Sequence, residues 1–266
     1  MSVYSPNNIY TADALEGLKN IAADSVDLVM TSPPYADIRK SYPGPKPAGY
    51  VDWFLPIAAE IKRTLKPNGS FVLNIKDKVV KGGRHPYVFS LISKLCESLT
   101  LIDTNIWVKK NGLGSVKGRR GFDYFEYIFH FCKGNKPVWN VDDIRTPYAS
   151  SSKKRSESTI KTDTSNREAR LEDGEDKKSW VLNSVGAYPK NVLYFKKDQG
   201  KDHPAAYHLE LPTYFIKAHT NKGDLVVDPF CGRGTTCSAA KILGRDYIGI
   251  DIEDKFVQMA KGKFNL

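Results

Sequence analysis

The chain of 266 residues is 41% hydrophobic and 26% charged with a formal net charge of +10, a composition that suits one sizeable folded domain, or one with a large insertion, and favours a polyanionic partner. Cys96, Cys132, Cys231 and Cys237 lie far apart or inside apolar runs, with no CxxC pair and no Cys/His cluster at metal spacing, which argues against structural zinc and a disulfide framework. The first residues hold no basic segment followed by an apolar one and no apolar run approaches bilayer length, so the sequence reads as cytoplasmic, with no membrane partner.

Short apolar segments alternating with helical patterns predict a doubly wound α/β fold, a mostly parallel sheet covered on both faces. Strands are expected over 9–11, 26–31, 70–75, 101–108 and 124–131, and helices over 14–22, 51–65 and 86–98. KPNG at 66–69 supplies the proline and glycine that end a helix and open the next strand. After Lys133 the pattern breaks, and 149–179 is polar, mixed in charge and almost without large apolar side chains, so it cannot bury a core. Regular alternation returns with a helix at 209–219, a strand at 225–228, a helix from Thr235, a strand at 247–251 and a last helix from Asp254.

The most informative stretch is DLVVDPFCGRGTTCSAAKILGRDYIGIDIE, from Asp224 to Glu253. A strand ends at Asp228, a tight turn carries Gly232 and Gly234, a helix follows, and the next strand ends in Asp251. Asp251 lies 19 positions after Gly232, close to the distance between glycine turn and ribose-binding acid in nucleotide-binding βαβ units. A P-loop is disfavoured because no lysine follows the second glycine. A dinucleotide fold wants a third glycine in the helix, where Cys237 stands instead. S-adenosylmethionine has no pyrophosphate, so a GxG turn with an acid before it suits its amino-acid end and the acid after the next strand suits its ribose.

The strand at 26–31 runs straight into Ser32, Pro33, Pro34 and Tyr35. Two prolines hold the turn open, because each lacks an N–H and restricts the residue before it. Such a turn fits methyl transfer to an exocyclic amine of a base, whose lone pair is delocalised into the ring. Ser32 can accept one N–H and the Pro33 carbonyl the other, holding the nitrogen in line with the methyl group. Tyr35 would stack on the base and stabilise the charge developing on nitrogen.

Together, SPPY and the glycine turn resemble the paired motifs of the DNA amino-methyltransferases, which methylate adenine N6 or cytosine N4. The catalytic motif precedes the cofactor motif, as in the family's beta class, whose Rossmann-like sheet is a circular permutation of the usual methyltransferase order. YTADALEGLKNIAADSVDLVMTSPPY, LKPNGSFVLNI, IWVKKNG and HPAAYHLELPTYFIKAHT extend the resemblance across most of the chain. It implies S-adenosylmethionine as cofactor, held by Asp13, Asp228, Phe230, Gly232, Gly234, Thr235 and Asp251, with His203 in the stretch that lines the methionine end. It also implies a catalytic half over 1–110, edge strands with a variable target-recognition region over 111–197, and a cofactor-binding half over 198–266. Serine as the first motif residue resembles the cytosine-N4 branch, with adenine N6 as the alternative.

The implied substrate is duplex DNA carrying a specific sequence, with the target base flipped out of the stack. Lys117, Arg119 and Arg120, then Lys153, Lys154 and Arg155, are the expected DNA contacts, and 149–179 is expected to order on DNA. A cognate restriction endonuclease is the expected companion. Cytosine-C5 chemistry is disfavoured, since no cysteine nucleophile stands between Thr31 and Lys40. Glutamine-modifying relatives carry the glycine turn first and prefer asparagine in the catalytic turn. An RNA substrate, or a binding protein that has lost catalysis, remain the rival readings.

Overall fold

The computed structural model describes residues 4–36, 44–109, 121, 123–152, 182–195 and 208–264. His203 and the expected DNA contacts Lys117, Arg119, Arg120, Lys153, Lys154 and Arg155 lie outside them, as does nearly all of the polar stretch. In chain order the strands are β1 (Asn8–Thr11), β2 (Val26–Thr31), β3 (Leu65–Ile75), β4 (Lys78–Val80), β5 (Gly83–His85), β6 (Thr100–Lys109), β7 (Phe125–Cys132), β8 (Val192–Phe195), β9 (Leu225–Asp228) and β10 (Asp246–Asp251). The helices are α1 (Ala14–Lys19), α2 (Tyr50–Thr64), α3 (Tyr87–Leu95), α4 (Glu210–His219), α5 (Thr235–Ile242) and α6 (Asp254–Phe264). No helix among the described residues is long and apolar enough to cross a membrane.

Every residue of β2 is buried, as expected of a parallel strand covered on both faces. Its side chains alternate between two cores. Val29, with Phe71 and Leu73 of β3, packs beneath α1, α2 and α3, which bring Leu18, Phe54, Ile61 and Leu91. Leu28 and Met30, with Val72, pack on the opposite side against Phe215 of α4, Ala239 of α5 and Val257 of α6. Each fully buried side chain of this size contributes roughly 1.5–3 kcal/mol.

The strand order is β1-β10-β9-β2-β3-β7-β6-β8. The five strands from β1 to β3 are parallel, β7 is antiparallel to both β3 and β6, and β8 is parallel to β6. The sheet is thus mostly parallel with an antiparallel excursion at one side. β4 and β5 form a separate small hairpin.

The expected elements recur with shifted ends. KPNG does not precede its strand: Val26 pairs with Leu65 and Leu28 with Ser70, so residues 66–69 bulge out of β3. A Cβ on Gly69 would stand 2.9 Å from the Val26 carbonyl oxygen, which is why glycine occupies the tightest point. α1 stops at Lys19 because the Asn20 N–H turns back to the Gly17 and Leu18 carbonyls.

The chain separates into two compact units, 1–139 with 191–266, and 140–190. In the smaller unit a short 3-10 helix, Val141–Ile144, is followed by an antiparallel bridge between Thr146 and Ala187. Arg145 Nη1 donates to the Gly186 carbonyl at 3.1 Å, and the Arg145 guanidinium stands 5.6 Å from the Tyr188 ring centroid.

Candidate active site

From β9 the chain proceeds to β10 on one side, and from β2 to β3 on the other, so strand order reverses between β9 and β2. In open α/β sheets that reversal leaves a crevice at the carboxyl ends of the strands, where ligands bind. The glycine turn leaves β9 there, and Ser32-Pro33-Pro34-Tyr35 leaves β2 beside it.

A buried carboxylate ties the two loops together. Asp228 Oδ1 accepts from Thr31 Oγ1 at 2.6 Å and from the Phe230 N–H at 3.1 Å, while Oδ2 accepts from Thr236 Oγ1 at 2.6 Å. Thr31, at the end of β2, is thereby fastened to the end of β9 and, through Thr236, to α5. Each bond carries the extra strength of an ionised acceptor. Asp228 therefore braces the turn.

Gly232 and Gly234 adopt φ values of 49° and 74°, in the left-handed region that favours glycine. Gly234 also packs closely, since a Cβ there would lie 3.1 Å from Ala260 Cβ. The Gly232 N–H donates to Asp251 Oδ2 at 2.8 Å and the Glu253 N–H to Oδ1 at 3.0 Å. Burial raises the Asp251 carboxyl above the ordinary carboxylate value, and these two N–H groups oppose the shift. The helix–strand approach that a dinucleotide fold makes through a third glycine is made here by the strand: a Cβ on Gly249 would meet Cys237 Sγ at 2.9 Å and Cys231 Sγ at 3.0 Å. Cys237 in α5 thus faces a glycine in β10.

Asp13 caps α1, accepting from the Leu15 N–H at 2.9 Å and the Glu16 N–H at 3.3 Å. It sits near Asp251 in the sheet, because the Ala12 N–H donates to the Asp251 carbonyl at 3.0 Å. Thr235 opens α5 directly after the turn. Phe230 packs on Trp53 of α2, with ring centroids 5.8 Å apart, as an aromatic wall next to the turn.

On the other side of the crevice, Tyr50 Oη donates to the Pro34 carbonyl at 3.0 Å. Ser32 Oγ donates to Tyr35 Oη at 3.2 Å, and Tyr35 Oη donates to Glu126 Oε2 at 2.6 Å. Asn74 Nδ2 donates to both Tyr35 Oη and Glu126 Oε2, each at 2.8 Å. Lys109 Nζ pairs with the other oxygen, Glu126 Oε1. Turning the Asn74 amide round would set its oxygen against the Glu126 carboxylate, so the nitrogen belongs there and Oδ1 is left buried without a partner. Burial, and after it the Glu126 charge, push the Tyr35 phenol well above its ordinary value of 10.0, so it stays a protonated donor. The Tyr35 ring is half-buried while its hydroxyl is enclosed.

The fold therefore brings Ser32, Pro33, Pro34 and Tyr35 beside Asp228, Phe230, Gly232 and Gly234, with Asp251 at the end of β10, Asp13 at the start of α1 and Thr235 at the start of α5. Sequence reasoning missed Glu126, Asn74, Lys109, Thr31 and Thr236. The available signals were faint: an acid near the start of the otherwise apolar FEYIFHFC, and an asparagine closing FVLN. Among the described residues no cluster of three or more His, Cys, Asp and Glu could hold a metal ion.

Comparison with known proteins agrees with this geometry. The sequence model of an N6/N4 methyltransferase family, described as DNA methylase, matches residues 26–262. The type II methyltransferase M.PvuII of Proteus hauseri is 30% identical over 284 residues, covering 98% of this chain and 84% of that protein. The solved structure of PvuII DNA methyltransferase (cytosine-N4-specific) superposes with a TM-score of 0.75 at 25% identity, covering 98% of this chain and 86% of the other. The crystal structure of M1.HpyAVI in complex with SAM superposes at 0.59, also at 25% identity, covering 96% and 98%. With the family's sequence model spanning all but the ends of the chain and both characteristic loops meeting at one crevice, the chain belongs to the N6/N4 DNA methylase family, beta class.

Proposed function

We infer that this DNA methyltransferase transfers the methyl group of S-adenosylmethionine to the N4 amine of a cytosine flipped out of duplex DNA, within a specific recognition sequence. The observation that carries the reading is Ser32, a neutral hydroxyl at the head of the proline turn, fastened beside the glycine turn through Thr31 and Asp228. S-adenosylmethionine, when bound, supplies an electrophilic methyl group.

The residues present fit that cofactor. Arg233, between the two glycines, has Nε and Nη1 buried without hydrogen-bond partners, donors on opposite edges of the guanidinium of which a ligand acceptor would engage one. Asp251 would accept the ribose hydroxyls, Asp13 would stand near the adenine, and Phe230 would form an apolar wall for the ligand. Gly232, Gly234 and Thr235 would line the amino-acid end. Asp228 holds the turn in shape.

Toward the base, Ser32 Oγ takes one amine N–H. The Pro34 carbonyl is already engaged by Tyr50, so the Pro33 carbonyl is the acceptor left for the other. Both acceptors favour a tetrahedral nitrogen whose lone pair faces the methyl group. Tyr35 offers part of its ring for stacking. Target recognition is assigned to the region from 111 to 197, whose arginines and lysines would meet phosphates and guanine edges. A restriction endonuclease of the same specificity is the expected companion, and the cytoplasm of a prokaryotic cell the expected place of work, whether the gene is the cell's or a phage's.

The test is methyl incorporation by the purified protein from labelled S-adenosylmethionine into duplex DNA in competition with structured RNA. Label in deoxycytidine N4 supports the reading, label in deoxyadenosine N6 replaces the base, and label in RNA replaces the substrate.

A further inference from the structure

Ser32, Tyr35 and Glu126 form an unbroken line of hydrogen bonds from the proline turn into the sheet. Ser32 Oγ donates to Tyr35 Oη at 3.2 Å, and Tyr35 Oη donates to Glu126 Oε2 at 2.6 Å. Donation runs the same way at both hydroxyls, toward the carboxylate. Ser32 Oγ also accepts a long contact from Asn74 Nδ2 at 3.5 Å, so its second lone pair is the one kept for an incoming N–H, and the line ends in a group able to hold a proton. Glu126 is 7% exposed and held from both sides, by Asn74 Nδ2 at 2.8 Å on one oxygen and by the Lys109 ammonium on the other. The same Asn74 nitrogen donates to Tyr35 Oη at 2.8 Å, so one amide sets both the phenol and its acceptor.

We propose that this line removes the proton of the target amine, with Glu126 as its buried acceptor. The proposal rests on the methyl-transfer reading of the site. An aromatic amine is a poor nucleophile because its lone pair belongs to the ring, and withdrawing an N–H proton as the new bond forms restores it. The amine lone pair forms the N–C bond, and the C–S bond breaks with its electron pair remaining on sulfur. One N–H proton passes to Ser32 Oγ while the Ser32 proton passes to Tyr35 Oη and the Tyr35 proton to Glu126 Oε2. Ser32 and Tyr35 end the step neutral, Glu126 ends it as the neutral acid, and the base regains its neutral amine, now methylated. Glu126 returns its proton to water before the next turnover. In this scheme Ser32 receives the amine proton directly, the Tyr35 hydroxyl passes it on while the Tyr35 ring faces the base, and Glu126 acts through both.

The experiment compares single turnovers of the wild type, Tyr35→Phe, Glu126→Gln and the double variant on duplex DNA with saturating S-adenosylmethionine, in H₂O and D₂O. Tyr35→Phe keeps the ring and leaves Glu126 with Asn74 and Lys109, so the fold is spared. The expected result is a rate lower by about a hundredfold in each single variant, the lower end of what a positioned base contributes. The double variant should be no slower than the singles, since both changes cut one line. The solvent isotope effect of the wild type should vanish in Tyr35→Phe, with DNA and cofactor affinities unchanged. If Glu126→Gln unfolds, pairing it with Lys109→Met removes the stranded cation and restores the comparison. A Tyr35→Phe rate equal to wild type, effects that multiply, or a persisting isotope effect with weakened DNA binding would overturn the relay while leaving the methyltransferase reading in place. A folded wild type that methylates no nucleic-acid amine would remove both.

Discussion

Replacing Thr31 with valine tests the bond that joins the two halves of the site. Thr31 is fully buried, and Asp228, its partner at 2.6 Å, is 2% exposed. Valine matches threonine in shape, so the change removes one hydroxyl and leaves no cavity. A hydrogen bond to a charged group is worth about 1.5–3 kcal/mol. Asp228 retains Thr236 and the Phe230 N–H, which spares it from standing unpaired. The expected cost is therefore about 2 kcal/mol, roughly a 30-fold shift in the folding equilibrium. Urea unfolding should show a lower midpoint at constant m-value. Turnover should fall more than cofactor affinity, because the loosened element is the strand that carries Ser32. A midpoint within about 0.5 kcal/mol of wild type, the range of an ordinary surface change, together with unchanged turnover would refute the bracing role.

Ser32→Ala should lower methyl transfer by about a hundredfold or more while calorimetry finds cofactor affinity nearly intact; equal losses in both would make Ser32 structural. Asp251→Ala and Arg233→Ala should each weaken S-adenosylmethionine binding about tenfold or more, and an unchanged dissociation constant would remove that residue from the cofactor site. Acid stability should depend on His219, whose pKa burial lowers from 6.5 to about 4. A base held neutral in the fold costs stability as the unfolded chain takes up protons, so stability is full above pH 6.5 and falls toward pH 4, by about 3 kcal/mol for a shift of that size. His219→Phe should flatten the loss between those pH values in unfolding titrations, and an equally steep loss would assign it to other groups.

Much of the parallel half was legible because its signals are local. The apolar run from Leu28 to Met30 marks β2, and the glycine turn announces itself through the spacing of Gly232, Gly234 and Asp251, because left-handed backbone and a strand-end acid are demands on single residues. SPPY was legible for the same reason. The support behind it was not: Asn74, Lys109 and Glu126 come from β3, β6 and β7 and meet only because β7 inserts antiparallel between the other two. Nothing in FEYIFHFC tells whether its acid faces solvent or a buried phenol. KPNG was misplaced because proline and glycine mark a bulge as readily as a helix end, and pairing to Val26 decides which. The helix carries Cys237 where a dinucleotide fold has its third glycine, and because close packing needs glycine on only one of two facing surfaces, Gly249 supplies it from the strand.

The most direct test of the central claim is nucleoside mass spectrometry of DNA from cells devoid of other methyltransferases that express either this protein or its Ser32→Ala form. N4-methylcytosine is expected in the first and its near absence in the second. N6-methyladenine would contradict the base assignment while keeping the site, and methylation that survives loss of the Ser32 hydroxyl would contradict the mechanism itself.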